Sequence, residues 1–563
     1  MFRRAPLLAL AALPLTVAPL RAQSAAPTAP AALLVVNAHI RTVNDAMPEA
    51  AVMAVRDGRV SWIGSAADAA RLRIAAIDTL DARGRTIVPG ITDAHGHLFE
   101  LGERLGQVDL TGTSSYAEVV SRIAAKARTL PKGAWVLGGG WDQNDWSEKR
   151  FPTHQALDAA VPNNPVMVSR VDGHAVLANA AAMRAAGVSA TTKDPAGGRL
   201  ERDAAGAPTG VFVDNAQALV AHVVPAPTAE QRRTAVLRAV KEANRWGLTG
   251  VHDPGENRAT IDTYEALAKA GQFTLRDYVM VSDDSADLAH YFARGPQSAL
   301  YDGHLWIRAV KLYADGALGS RGAALLAPYS DDPKNTGLLV STPAHLEHVA
   351  EQALRAGFQV NVHAIGDRGN RIVLDAFQQA LAAVPTKDAR LRIEHAQIVS
   401  PADIPRFASL GVIPSMQASH QTSDMYWAEQ RLGAERIKGA YAWRSLLDTH
   451  VIIPNGSDFP VERVNPLYSF HAAFTRQDEK NWPAGGWHPE QRMTRDEALK
   501  SITIWPARAA FQESMLGSLE VGKYADFVVL SQDIMTVAPE QVLGTTVVAT
   551  YLGGRAVYEA PKP

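Results

Sequence analysis

The residues of this chain best suited to chemistry begin with two histidines that flank one glycine. They close the stretch Thr86 to Leu98, TIVPGITDAHGHL, as His95 and His97. In an extended backbone, residues i and i+2 point to one face. Both imidazoles can therefore meet one metal ion at the end of a strand. Pro89-Gly90 sets a turn just ahead, and Gly96 lets the backbone pass close to whatever sits there. The pair alone is a weak signal, because solvated and core histidines are common. Its weight depends on which other ligands arrive at matching places.

Several do. Lys311 lies in the apolar run Leu305 to Tyr313, His363 in NVHAIGD, His395 in RIEHAQ and Asp458 in PNGSDFPV. A lysine in an otherwise apolar strand is unusual, since burying an unpaired ammonium is costly. Four histidines, one lysine and one aspartate at the matched ends of five strands make a nitrogen- and oxygen-rich ligand set. The chain has no cysteine, which removes thiol nucleophiles and cysteine-bound zinc.

These residues need a scaffold that brings strand ends together. Helical spacing over Ala229 to Trp246 precedes a strand at Gly247 to Asp253, and strands at Thr274 to Ser282 and Leu305 to Tyr313 follow. Helix Pro343 to Ala356 then leads to strand Phe358 to His363, and helix Asn370 to Ala383 to strand Leu391 to His395. Helix Ala402 to Leu410 leads to strand Val412 to Ser415, and helix Ala442 to Thr449 to strand Val451 to Asn455. Strands alternating with helices predict a parallel sheet. With the strand before His95 the count is about eight, the number that closes a barrel whose chemistry sits at the C-terminal strand ends. The segment 99–228 is too long for one connection and carries strands of its own, Ala134 to Leu137 and Pro165 to Val171, so it reads as an insertion beside the barrel mouth. Alternating runs over 32–86, with a hairpin at Asp57-Gly58, predict a small β domain. Similar runs over 508–563 suggest that both chain ends pair into that one domain, leaving 87–507 as the barrel.

The chain has 563 residues, 47% hydrophobic and 20% charged, with a formal net charge of -2. That balance implies neither a nucleic-acid nor a membrane-surface partner. Arg3 and Arg4 precede an apolar run from Ala5 to about Pro19, with Ala22 as a small residue for cleavage. This is the layout of a secretory signal peptide over 1–22, followed by an Ala/Pro-rich linker over 23–31. Pro14 and Pro19 interrupt the run, and it is short for a membrane span. The expected location is periplasmic or secreted, by the general or the twin-arginine route.

Together these motifs resemble the amidohydrolase superfamily of metal-dependent hydrolases, in its amidohydrolase family 3 branch. The resemblance covers nearly everything after the leader: PGITDAHGHL, GGGWDQNDW, VDGHAVLANAAAM, KLYADGALGSRGA, VHAIGD, RIEHAQ, GSDFPV and GKYADFVVL. It implies a distorted (β/α)8 TIM barrel with a β-sandwich made from both chain ends. It implies that His95, His97 and Asp458 bind the more buried metal and that His363 and His395 bind the more exposed one. Lys311 is then N-carboxylated and bridges both ions. The expected cofactor is Zn²⁺, one or two per chain. The metals would activate a hydroxide for attack, with Asp458 as acid and base. Trp141, His174 and Arg321 are candidate substrate contacts on loops that edge the pocket. Arg321 holds a carbonyl or carboxylate, or else pairs with a neighbouring acid. His252 and His420 follow strands and are candidates to line the mouth. Glu394 is expected to orient His395 or a neighbour. Trp427, Trp443, Trp482 and Trp487 suit an aromatic entrance or core packing.

The expected function is hydrolysis of an amide, N-formyl or cyclic amide bond of a small molecule. An ester, carbamate or lactone hydrolase uses the same machinery. A periplasmic solute- or metal-binding protein is a reading of another class, but it would not need Asp458 beside open metal positions. The partner is a small-molecule substrate, with neither nucleic acid nor membrane; a homodimer is admitted.

Overall fold

The computed structural model describes residues 31–561 apart from 171–174, 196–197 and 320. The expected leader and most of the linker lie outside the described residues, as does His174. Strands from both chain ends build a two-sheet sandwich. One sheet runs Arg59–Gly64, Val52–Arg56, Ala31–Val36, Ala76–Asp81. The other runs Arg555–Glu559, Val547–Leu552, Phe527–Leu530, Thr86–Pro89, His39–Arg41, Glu49–Ala50. The hairpin at Asp57-Gly58 has φ of 49° and 73°, the left-handed pair that matches strand twist. Val35, Ile40, Met53, Ile87, Phe527 and Val529 fill the space between the sheets.

The centre of the molecule is a nearly closed parallel barrel. Its strands are β1 (Ile91–Asp93), β2 (Leu248–Glu256), β3 (Arg276–Val281), β4 (Leu305–Tyr313), β5 (Gln359–Ala364), β6 (Arg392–His395), β7 (Ile413–Gln417) and β8 (Asn455–Gly456). They are hydrogen-bonded in chain order. The ends meet where Ala94 N–H donates to the Asn455 carbonyl at 3.3 Å. Helices pack outside on apolar stripes. Ala229–Arg245 is opened by a capping box between Thr228 and Gln231, and it buries Ala235, Val236, Ala239, Val240 and Ala243.

Three boundaries differ from the sequence expectation. The apolar run before His95 splits at Gly90: Thr86–Pro89 joins the sandwich and only Ile91–Asp93 joins the barrel. A Cβ at Gly90 would come within 2.2 Å of Thr249 Oγ1, so only glycine lets the chain cross between the two sheets. The last strand is reduced to Asn455–Gly456, because Pro454 has no N–H to give to a ladder. Helix Leu98–Gly106 belongs to the barrel wall instead of the insertion. It crosses Ala229–Arg245 so closely that a Cβ at Gly102 would sit 2.0 Å from the Ala235 carbonyl oxygen.

The insertion proper forms its own sheet, in the order Gly198–Arg202, Pro208–Asp214, Ala175–Ala178, Val166–Arg170, Val136–Trp141, Val108–Asp109. Barrel and sandwich are fastened by a buried ion pair. Arg276 donates to both Asp526 oxygens, and its guanidinium lies 3.7 Å from the centre of the Tyr524 ring. Among the described residues no helix is long and apolar enough to cross a membrane.

Candidate metal centre

The site is built at the C-terminal ends of β1, β4, β5, β6 and β8. Asp93, two residues before His95, sets the seam between the first and last strands. Its carboxylate accepts from His95 N at 3.1 Å, from Ser457 N at 3.0 Å and from Ser457 Oγ at 2.6 Å. Burial pushes Asp93 up to about 7, against the Ser457 bonds. The seam continues with Asp458 N donating to His95 O and His97 N donating to Phe459 O at 2.8 Å. A Cβ at Gly96 would fall 2.4 Å from the Phe459 ring, so the H-G-H turn needs its glycine for this close approach. His395 and Asp458 have φ of 72° and 59°, left-handed values that a side chain adopts only under strain.

These backbone positions bring six predicted side chains together. Asp458 Oδ1 lies 3.1 Å from His97 Nε2 and 3.7 Å from His95 Nε2. Lys311 Nζ lies 3.5 Å from His95 Nε2. The His95 and His395 ring centres are 4.9 Å apart, and those of His363 and His395 are 4.5 Å apart. Burial, then the Lys311 charge, holds His95 down to about 4 and His363 down to about 3. Burial, then His363 and His95, pushes His395 well below its usual range. Neutral imidazoles are the form that binds metal. Burial also lowers Lys311 to about 8, against the pull of Glu394 and Asp458. For Asp458 burial works upward, but His97 and the imidazoles of His95, His395 and His420 outweigh it and hold the carboxylate well below its usual range.

A charged layer inside the barrel supports the cluster. Glu394 Oε2 accepts from His95 Nδ1 at 2.5 Å, which leaves the His95 Nε2 lone pair facing the centre. Arg392 lies beside Glu394, with Nε 2.8 Å from Oε1, and neither side chain is exposed. Its Nη atoms reach His252 Nδ1 at 2.9 Å, Ala94 O at 2.8 Å and Ser415 Oγ at 2.8 Å. Glu394 thus orients His95, while Gln417 Oε1, 2.8 Å from His395 Nδ1, orients His395. Burial opposes the Glu394 charge, but Arg392 and His95 overcome it and hold the acid down at about 2.

The remaining expected residues are placed differently. Trp141 is fully buried in the core of the insertion, its indole N–H donating to Val168 O at 3.0 Å. It cannot touch a substrate there; an apolar aromatic with one satisfied N–H is a packing residue. Arg321 pairs with Asp331 at 2.9 Å, so it is committed to a neighbouring acid instead of a ligand. His252 is not at the mouth but beneath the site, against Arg392. His420 does reach the site, with Nε2 3.7 Å from Asp458 Oδ2. Trp443 and Trp487 pack on the buried Arg476 guanidinium, and Trp482 stacks on Tyr426 at the surface. Sequence reasoning missed Asp93, Arg392, Gln417 and Ser457. Two of them carried a signal, since Asp93 and Arg392 stand two residues before His95 and Glu394 and so share their strand faces.

The donor set fits a metal. The Nε2 atoms of His363 and His420 are buried without a hydrogen-bond partner, a cost of about 1–3 kcal/mol each unless a ligand satisfies them. His95, His97 and Asp458 each place one ligand atom within 4.8 Å of the others. A cleft of about 470 Å³ opens beside His97, lined by Phe99, Tyr313, Glu100, Glu103 and Glu256.

A parallel barrel whose mouth gathers four imidazoles, those of His95, His363 and His395 held neutral by burial, around one ionised aspartate defines a metal-dependent hydrolase. The sequence profile of the amidohydrolase family matches residues 78–558, and the chain belongs to that family. It is 36% identical to the protein LONG AFTER FAR-RED 3 of Arabidopsis thaliana over 93% of this chain and 91% of that one. It is 29% identical to the N-substituted formamide deformylase of Arthrobacter pascens over 94% of this chain and 98% of that one. Among solved structures, a metal-dependent hydrolase from Pyrococcus horikoshii superimposes with a TM-score of 0.76 at 27% identity, covering 90% of this chain and 99% of that one.

Proposed function

We propose that the protein is a zinc-dependent hydrolase of the C–N bond in small N-substituted formamides and related amides. The observation that carries this reading is Asp458. It is an ionised carboxylate 3.1 Å from His97, and His97 in turn lines a cleft with Phe99, Glu100, Glu103, Arg104 and Glu256. The near full-length likeness to a formamide deformylase supports the choice of bond.

Zinc held by His95, His97, His363, His395 and Asp458 would supply Lewis-acid polarisation of the carbonyl and a lowered pKa for water. The chain's own groups do the rest. Glu394 fixes the tautomer of His95, and Gln417 fixes the ring of His395. Asp458 accepts a proton as water oxygen bonds to the carbonyl carbon. It returns that proton to nitrogen as the C–N bond breaks, yielding a carboxylic acid and an amine. An amine leaving group needs this proton more than an alkoxide does. Lys311, its amine partly neutral near pH 8, is the nucleophile toward CO2 that would give a bridging carbamate. Arg3, Arg4 and the apolar run after them are the basis for reading the enzyme as exported; N-terminal sequencing of protein from the periplasm or medium should begin after residue 22.

The test is a panel of N-substituted formamides, N-acyl amines, cyclic amides and esters with zinc-loaded protein. Formate and amine should appear in equal amounts, and Asp458→Asn should abolish turnover. Activity confined to esters would refute the C–N reading.

A further inference from the structure

Three arginines are buried among the described residues, Arg276, Arg392 and Arg476. Two of them face carboxylates, Arg276 that of Asp526 and Arg392 that of Glu394. Arg476 pairs with no carboxylate among the described residues. It closes helix Pro466–Thr475 with a left-handed φ of 60° and is fully buried. Its guanidinium carbon lies 4.3 Å from the centre of the Trp443 ring and 5.2 Å from that of Trp487. Nε donates to Trp487 O at 2.8 Å and Nη1 to Tyr441 O at 2.8 Å, both neutral carbonyls. Nη2 is buried without a partner, and so is the indole Nε1 of Trp443. Burial pushes the guanidinium down to about 9, with Glu490 and the Tyr441 hydroxyl working the other way. The Glu490 side chain is 64% exposed, so water screens its charge.

A buried cation is costly without a counter-charge. Stacked rings lower that cost but carry no net charge. Two orphaned N–H donors on groups stacked against each other call for an acceptor, and the unpaired charge calls for an anion. A water would satisfy the donors and leave the charge. A carboxylate or phosphate needs more donors than these two. A halide carries one charge, accepts from any direction and has no hydrogen of its own to place. We propose that Arg476 Nη2 and Trp443 Nε1 hold a buried halide ion, chloride under ordinary conditions. The site is separate from the metal centre and independent of the bond hydrolysed. Tyr441 joins the two: its carbonyl is held by Arg476, and its N–H donates at 2.7 Å to the carbonyl of Gln397, two residues after His395. Gln397 Nε2 also donates to the Tyr441 hydroxyl at 2.7 Å. The ion therefore braces the segment that carries a metal ligand.

The test uses the full chain exchanged into gluconate. Crystals soaked in bromide should give an anomalous peak within hydrogen-bonding distance of both nitrogens. In solution, bromide or chloride replacing gluconate at constant ionic strength should slow irreversible unfolding at fixed temperature, followed by circular dichroism. The rate should fall about twofold at the Kd and about tenfold at roughly ten times the Kd. Trp443→Phe keeps a ring and removes the N–H, so it should raise that Kd about tenfold or more. Arg476→Met should abolish the halide response. Absence of the bromide peak would overturn the proposal. A peak without any effect on the unfolding rate, which is binding at crystal concentration only, would overturn it too, as would an unchanged Kd in Trp443→Phe. If neither variant folds, the peak and the wild-type rate decide.

Discussion

Glu394→Gln should separate the two tasks of the buried charge layer. Glu394 is fully buried between Arg392 at 2.8 Å and His95 at 2.5 Å. Glutamine keeps the shape but removes the negative charge. Arg392 then remains buried with only neutral partners, His252, Ala94 O and Ser415. Breaking a buried pair from one side costs about 3–5 kcal/mol. The bond that orients His95 also loses its charge assistance, which is about half its strength. Loss of such an orienting partner typically weakens metal binding by about 10–100-fold, or about 1.4–2.7 kcal/mol. The assay is therefore double: chelator competition for metal affinity, and inactivation rate at fixed temperature for stability, since a chain of 563 residues is expected to unfold irreversibly. The double variant Arg392→Met with Glu394→Gln should recover most of the stability but none of the metal affinity. Unchanged affinity in Glu394→Gln, within twofold, would refute the claim that Glu394 orients His95. Failure of the double variant to regain stability would refute the claim that an uncompensated Arg392 causes the loss.

Three further outcomes follow from other parts of the site. Lys311→Ala should lose activity that short carboxylic acids partly restore, measured as initial rate against added acetate; indifference to the substitution would remove the bridging carbamate. Asp424 is raised by burial to about 6 from 3.8, despite His420 and the Tyr441 hydroxyl. The folded state therefore holds its proton at pH values where the unfolded chain has released it, so stability falls as pH rises from 3.8 to about 6 and levels above. Asp424→Asn should flatten that part of the profile of inactivation rate against pH at fixed temperature, and an unchanged slope would contradict it. Trp141→Phe should cost about 1–3 kcal/mol of stability by orphaning Val168 O, with KM unchanged; a raised KM at wild-type stability would return Trp141 to the substrate pocket.

The strand-borne ligands were legible because a strand has period two and a barrel gathers strand ends. His95 and His97 share a face for that reason, and Lys311 stood out as a charge in an apolar run. The pairing of both chain ends was visible in alternation and in the Asp57-Gly58 turn. What was hidden depends on three-dimensional closure. No local pattern says that Thr86–Pro89 leaves the barrel at Gly90, since only the nearness of Thr249 shows why. Trp141 and Arg321 sit on motifs that look like pocket edges, yet packing and Asp331 claim them. His420 was legible as a residue that follows a strand and lines the mouth, but its approach to Asp458, from a helix after β7, has no local pattern to announce it.

The central claim is that side chains far apart in sequence converge to hold metal for hydrolysis. Protein stripped with a chelator and titrated with zinc, with formate release followed at each addition, tests it most directly. The account predicts no turnover in the stripped protein and a rise that saturates at about one to two equivalents per chain. Full turnover in protein shown by elemental analysis to carry no metal would contradict it.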